Sequence, residues 1–168
     1  MTSDDRLLDM EVTHEGLTSL VAAIRAEEDG KELRKELAKN MREALKPAAT
    51  QAKSGIMSMS SAGMSTAPAL RSAIAKRIRP EVKLGGRWTG ARVKARKIPG
   101  IRGFANAPKR TQRAAGWRTQ SWGNGVWRTQ HGKVDWFDRA MEGDTQRYRR
   151  AVLDAMEAMA RRIADRAR

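Results

Sequence analysis

The 168-residue chain contains no cysteine. This absence excludes a disulfide framework, a thiolate zinc site and a cysteine nucleophile. Long apolar runs are also missing, since none approaches the roughly 18 residues that a membrane-spanning helix requires. The first five residues are acidic at Asp4 and Asp5 rather than basic, and no apolar stretch follows them, which argues against a secretory signal. We therefore expect a soluble protein that is made in the cytoplasm.

The residue types that usually carry catalysis or bind metals are scarce. The chain has two histidines, His14 and His131, and neither has a second imidazole or a carboxylate at metal-ligand spacing on a predicted helix. The glycines fit neither the phosphate-loop nor the dinucleotide-binding pattern, and the nucleophile elbow Gly-x-Ser-x-Gly does not occur. The sequence therefore predicts no enzymatic activity, no metal and no cofactor.

Acidic residues are missing from residue 82 to residue 134, and this gap dominates the charge distribution. The chain carries 34 Lys and Arg against 19 Asp and Glu, for a net charge of +15. Residues 71–118 hold 15 basic residues and one acid, Glu81, whereas residues 1–70 hold 9 basic and 11 acidic residues. A positive block this dense repels itself unless a negative surface lies beside it. Its partner could be nucleic acid, an acidic membrane surface or an acidic protein face; the alternative is a solvated basic surface.

Hydrophobic periodicity predicts a helical N-terminal part over residues 14–57. Apolar residues between 17 and 24 follow the spacing of one helix face, and a second apolar stripe runs from 33 to 52. Pro47 lies inside the second stripe, which predicts one long kinked helix, with a break into two helices as the alternative. Residues 58–68 are small and polar, as in a linker, and a short helix is predicted over 69–75. We expect the whole chain, residues 1–168, to form a single domain.

Strand-like alternation follows these helices. Residues 81–97 alternate apolar and basic side chains on either side of a glycine-rich turn, which predicts a hairpin with one apolar and one strongly basic face. Residues 98–116 contain prolines and glycines and show no period. A stretch of that length without regular structure is usually functional or disordered. We therefore predict an extended basic arm that becomes ordered on a partner, with Ile101 and Phe104 as candidate apolar anchors.

The tetrapeptide Trp-Arg-Thr-Gln occurs twice, at 117–120 and at 127–130, on either side of Asn124-Gly125. Asn-Gly favours a two-residue type I′ turn, because both of its positions have positive φ. A Trp-rich hairpin is therefore predicted over residues 117–131, with its turn at Asn124-Gly125. That register places Trp122 opposite Trp127, where the two rings would contact each other.

The apolar pair Trp136-Phe137 precedes a C-terminal helix that is predicted over residues 138–167. We expect Asp135 and Asp138, which flank the pair, to cap the entry to this helix. Together the elements predict an α+β fold: a short helix, a long kinked helix, a small antiparallel sheet of hairpins with a long basic loop, and a long C-terminal helix.

Several short motifs occur in a characteristic order. The first helix opens with Glu15-Gly16-Leu17-Thr18-Ser19-Leu20, and the long helix carries Ala44-Leu45-Lys46-Pro47-Ala48-Ala49 before Leu70-Arg71-Ser72-Ala73-Ile74-Ala75. Near the end, Trp122-Gly123-Asn124-Gly125-Val126-Trp127-Arg128-Thr129-Gln130 precedes Trp136-Phe137 and the final helix. Over nearly its whole length the chain thereby resembles the tail-completion, or head–tail connector, proteins of long-tailed bacteriophages. Asp135 stands where members of that family often have a proline.

The resemblance implies a structural virion protein of the phage neck that forms a ring, with six-fold symmetry favoured, at the head–tail junction. Its expected partners are further copies of the chain, neighbouring neck and tail-tube proteins, and DNA in the passage, with no membrane, no cofactor and no enzymatic role. The residues expected in the core or in a subunit interface are Trp117, Trp122, Trp127, Trp136 and Phe137. Contacts with nucleic acid or with an acidic partner are expected from Arg87, Arg92, Lys94, Arg96, Lys97, Arg102, Lys109, Arg110 and Arg113.

The alternative function is that of a free nucleic-acid-binding protein that uses residues 71–118. Trp88, Phe104 and Trp117 stand among the arginines of this block. Such a mixture stacks on bases and neutralises phosphates.

Overall fold

A computed structural model describes residues 9–12, 16–60, 69–99, 104–120 and 125–168. The predicted α+β fold is confirmed. In chain order the elements are β1 Asp9–Val12, α1 Gly16–Ala26, α2 Gly30–Met57, α3 Ala69–Lys76, β2 Ile78–Lys83, β3 Gly90–Ala95, α4 Ala107–Gln112, β4 Trp117–Gln120, β5 Trp127–Gln130, α5 Trp136–Glu142 and α6 Thr145–Arg166. None of the helices within the described ranges is both long enough and apolar enough to cross a membrane.

The described residues form two compact units, which are treated separately below. Unit I comprises residues 50–79 and 94–143, and unit II comprises residues 9–49, 80–93 and 144–168. The division falls within α2, β2 and β3, so each of these elements contributes residues to both units. The expectation of a single domain stays a prediction.

The two N-terminal helices follow the apolar stripes of the sequence. In α1 the predicted face of Leu17, Leu20, Val21 and Ile24 is buried. The long helix α2 is continuous through Pro47, as predicted, and its stripe is buried at Leu33, Leu37, Met41, Leu45, Ala48, Ala52 and Ile56. Pro47 itself is exposed. Its ring therefore lies on the solvent side, where water is able to reach the carbonyl that loses its helical hydrogen bond.

Three strands form one sheet in the order β1-β3-β2. Six residues connect β2 to β3, and because a parallel crossover needs about a dozen residues or more, the pair is an antiparallel hairpin. Its predicted apolar face is confirmed, since Val82, Leu84, Ala91, Val93 and Ala95 are buried. The strand β1 was not predicted from the sequence.

Unit II contains α6 and the elements against which it packs. The buried side chains of α6 are Tyr148, Val152, Met156 and Met159, and the helix contacts α1 and β1. Two arginines near its C-terminus form ion pairs with the α1–α2 region: Arg162 bonds Glu36, and Arg166 bonds both carboxylate oxygens of Asp29 at 2.7 and 3.0 Å. This hydrogen bonding lowers the pKa of Asp29 from its ordinary value of 3.8.

The predicted long C-terminal helix is confirmed, but it begins at Thr145 rather than at residue 138. The chain forms α5 from Trp136 to Glu142 and then α6 from Thr145. Gly143 ends α5, and the backbone N–H of this residue donates to the carbonyl of Met141. Glycine disfavours helix continuation by about 1 kcal/mol relative to alanine. The apolar periodicity of the sequence does not reveal this local effect, because apolar residues continue on both sides of Gly143.

The entry to α5 is capped by a residue from α4. Asp135 adopts φ 54°, in the left-handed region, and its side chain makes no capping hydrogen bond. Instead the Oε1 atom of Gln112 accepts a bond of 2.8 Å from the backbone N–H of Phe137, and its Nε2 donates to Asp138 at 3.0 Å. The expectation that the flanking aspartates cap this helix is therefore wrong for Asp135.

Candidate functional site

Part of the predicted basic arm is an ordered element of unit I. Residues 107–112 form α4, in which Ala107, Pro108 and Thr111 are buried, so the prediction of an extended arm over 98–116 is wrong for this part. Pro108 occupies the first turn of the helix, where its missing N–H has no partner to lose. The sequence pattern failed because a helix of this length shows less than two turns of apolar periodicity.

An aromatic–arginine cluster lies beside α4 and is defined by Phe104, Arg110, Arg113, Trp117 and Arg118. The rings of Phe104 and Trp117 are 5.4 Å apart and tilted by 44°. The guanidinium of Arg110 lies 5.5 Å from the centre of the Phe104 ring, within the range of a cation–π contact. A cavity of about 330 Å³ is lined by the three arginines with Trp117 and Gly116. The described part of this lining contains three positive charges and no carboxylate.

The cluster is positioned by the start of the β4–β5 hairpin. Gly116 adopts φ 65°, and a Cβ there would overlap the carbonyl oxygen of Gln130. Only glycine therefore allows the chain to enter β4 this close to β5. The register pairs Trp117 with Gln130 and Gln120 with Trp127. The predicted pairing of Trp122 with Trp127 is wrong, because Trp127 lies opposite Gln120; Trp122 itself is outside the described residues.

One face of this hairpin is open to solvent. Trp127 is 56% exposed and Val126 is 49% exposed, the largest values among the big apolar side chains of the described residues. Arg118 shares the face with Trp127, and its guanidinium lies 5.8 Å from the centre of the indole ring. The strands β4 and β5 form a sheet of two strands. A sheet of this size is marginal by itself and needs packing on one of its faces.

The pair Trp136-Phe137 lies in the core of unit I. Each side chain is 1% exposed, and the two rings meet edge to face with centres 5.6 Å apart. The indole Nε1 of Trp136 donates to the hydroxyl of Thr111 at 3.2 Å. These two aromatic residues therefore serve packing within one chain, whereas Trp127 is available to a partner.

The predicted phosphate-contact residues are distributed over both units. Arg87 is exposed and, like Arg92, belongs to unit II. Arg92 is bound to Glu81 at 2.6 Å, with its guanidinium 4.3 Å from the ring centre of Trp88, so its charge is already compensated within the hairpin. The other described candidates belong to unit I and are Lys94, Arg96, Lys97, Lys109, Arg110 and Arg113. Arg102 lies outside the described residues.

Two arginines of the basic block have structural roles that the sequence does not reveal. Arg71 donates to the carbonyls of Met57 and Met59 at 3.0 and 2.8 Å, and so satisfies the C-terminal end of α2. Arg77 donates to the carbonyl of Lys97 at 3.2 Å. A carbonyl acceptor that is distant in sequence leaves no motif. A count of charged residues therefore treats both arginines as available to a partner, although each is already bound within the chain.

Within the described ranges, no group of three His, Asp or Glu side chains is arranged to hold a metal ion. His131 lies at the base of the hairpin, where its Nδ1 is 3.2 Å from the carbonyl oxygen of Ala114. In comparisons with family models, curated proteins and solved structures, the chain matched none. The site combines a basic aromatic cavity with a hairpin face on which Trp127 is exposed.

Proposed function

We propose that the chain is a structural virion protein of the phage neck, which forms a ring at the head–tail junction and contributes to tail assembly and the DNA passage. The observation that carries the proposal is the exposure of Trp127 on a sheet of two strands, with the exposed Val126 directly before its strand. A large exposed aromatic on a marginal sheet is the kind of side chain that anchors a protein interface. The resemblance of the sequence motifs to those of neck proteins also supports the proposal.

Self-association is the first requirement of this proposal. Sedimentation velocity of the full chain over a concentration series should give a closed oligomer. A Trp127→Ala variant should dissociate about 30-fold more readily, the factor that corresponds to an interface anchor worth about 2 kcal/mol. Because Trp127 is more than half exposed, this variant should keep the fold, which circular dichroism checks.

A matched control is Met57→Ala, since Met57 is also a large exposed apolar side chain, at 39%. It should leave the oligomer unchanged. A chain that remains monomeric at every concentration would refute ring formation. Equal weakening by the two substitutions would refute the hairpin as the interface.

The second candidate function, nucleic-acid binding, is favoured by the aromatic–arginine cluster. Arginines beside a half-exposed tryptophan are suited to phosphate neutralisation and base stacking. Fluorescence anisotropy with duplex DNA over a salt series should then give a log–log slope of about −0.9 per neutralised phosphate. Replacing Arg110, Arg113 and Arg118 by alanine should flatten the slope, while a triple alanine variant of Arg139, Arg149 and Arg161 on α5 and α6 should not. Tight, sequence-selective binding would favour this function over the neck proposal.

A further inference from the structure

A second basic surface lies in unit II and is lined mostly by residues 25–42, although residues 1–70 hold more acidic than basic residues. A groove of about 720 Å³ runs between the first turns of α2 and the end of β2. We call it the α2 groove. Its charged lining comprises two carboxylates, Glu27 and Glu28, and six cations, which are Arg25, Lys31, Arg34, Lys35, Arg42 and Lys83. The six cations therefore exceed the carboxylates by four.

Most of this positive charge is not compensated within unit II. Lys35 is paired with Glu32 at 3.0 Å, on the same helix. Four other cations, Lys31, Arg34, Arg42 and Lys83, form no ion pair with any residue of the described chain. Cations that are held together in this way repel one another, and an anionic partner relieves the repulsion.

The cations follow one face of a helix. Lys31, Arg34 and Arg42 are separated by three and eight residues, so they recur about every turn or two along α2 and span about 16 Å. Ala38, Val82 and Leu84 also line the groove, although Val82 and Leu84 are largely buried. A partner must therefore present discrete negative charges at helical or extended spacing, with apolar groups between those charges.

Two features of the lining favour carboxylates over phosphates. Among the described residues no aromatic side chain lines the groove, so bases find no surface there on which to stack. Glu27 and Glu28 lie in the lining as well, and they would repel a continuous phosphate backbone, whereas an acidic peptide is able to place neutral residues beside them.

We infer that the α2 groove is a docking site for an acidic segment of a partner protein that carries apolar side chains between its carboxylates. The inference rests on the chemistry of unit II alone and is independent of ring formation by the hairpin. It adds a second interaction surface, most of which is contributed by residues 25–42, outside the basic block of residues 71–118; Lys83 belongs to both.

The test is fluorescence anisotropy of the full chain with a labelled peptide of Glu-Leu-Ala-Ala repeats, which places one glutamate and one leucine in every helical turn. Wild-type protein should bind it. Replacing Arg34 and Arg42 by alanine should weaken binding about tenfold, the effect of losing two partly exposed ion pairs. The matched variant Arg139→Ala/Arg149→Ala removes the same charge from exposed helix positions elsewhere and should bind as the wild type does.

Two further probes separate charge from apolar contact and carboxylate from phosphate. A peptide of Gln-Leu-Ala-Ala repeats should bind much more weakly; equal binding would overturn the acidic partner. The affinity of the protein for duplex DNA should not change when Arg34 and Arg42 are replaced. If instead this pair controls DNA affinity and the glutamate peptide does not bind, the groove is a phosphate site and the inference is wrong. Should the alanine variant unfold, Arg34→Gln/Arg42→Gln provides the same comparison.

Discussion

Replacing Thr111 with valine should measure how firmly α4 is joined to α5. The hydroxyl of Thr111 is completely buried and accepts the hydrogen bond from Nε1 of Trp136 at 3.2 Å. It donates to the backbone carbonyl of Ala107 at 2.8 Å or of Pro108 at 3.0 Å. Valine has nearly the same shape but no oxygen. The substitution therefore removes the acceptor and leaves the buried indole N–H without a partner.

The expected cost follows from that orphaned donor. A buried polar group that loses its partner destabilises the folded state by about 1–3 kcal/mol. Packing changes little, because valine replaces the hydroxyl with a methyl group of similar size. In a Trp136→Phe background the donor is already gone, so the same Thr111→Val change should cost less by at least about 1 kcal/mol.

Urea unfolding followed by far-UV circular dichroism measures all four proteins, since the signal does not depend on Trp136. With a slope of about 1–3 kcal/mol/M, the midpoint of Thr111→Val should fall by about 1 M. An unchanged midpoint, or an equal loss in the presence and absence of Trp136, would refute the hydrogen bond.

Three further predictions concern two ion pairs and one glycine that stabilise the fold. The hydrogen bond from Arg166 lowers the pKa of Asp29 from 3.8. The contribution of this ion pair to stability should therefore be complete above about pH 4 and should disappear as the pH falls through the pKa of Asp29 in the folded protein. The thermal midpoints of the wild type and Asp29→Asn should converge at that low pH. Gly116→Ala should lower stability by at least about 1–2 kcal/mol in thermal unfolding, because of its positive φ and the overlap at the hairpin entry. Glu81→Gln should cost about 3 kcal/mol in urea unfolding, because it removes the carboxylate that pairs with the mostly buried guanidinium of Arg92, and replacing both residues by methionine should recover much of that loss.

Helices with several turns were predictable from the sequence because their information is local. The stripes of α1 and α2 repeat often enough to define a buried face, and the alternation around Val82 and Val93 defines one face of the β2–β3 hairpin. A proline inside α2 did not disturb the prediction, since apolar residues continue on both sides of Pro47.

Elements whose stability depends on distant partners were not predictable. The helix α4 is short, and its order comes from burial of Thr111 and from the bonds of Gln112 to α5. Likewise β1 has four residues and acquires its structure by pairing with β3. Neither partner is near in sequence, so neither segment carries a periodic signal of its own.

The hairpin illustrates what a turn motif determines and what it does not. The Asn124-Gly125 turn predicts Trp122 opposite Trp127, whereas the strands pair Gln120 with Trp127. The difference is two positions, and because side chains alternate with a period of two, such a shift preserves which residues share a face. The exposed face containing Arg118 and Trp127 therefore agrees with the sequence pattern, even though the pairing partner does not.

The candidate surfaces show why segment charge is a poor guide to surface charge. The basic residues of the block 71–118 include Arg71, Arg77 and Arg92. Arg71 and Arg77 bind backbone carbonyls of the same chain, and Arg92 binds a carboxylate of it. The N-terminal segment has a net negative charge, yet acids such as Asp29 and Glu36 form ion pairs with α6, which leaves the cations on one face of α2 uncompensated. What a partner encounters is the charge that remains after internal pairing, and this remainder depends on tertiary contacts rather than on composition. The α2 groove is therefore as strong a candidate for an anionic partner as the basic block itself.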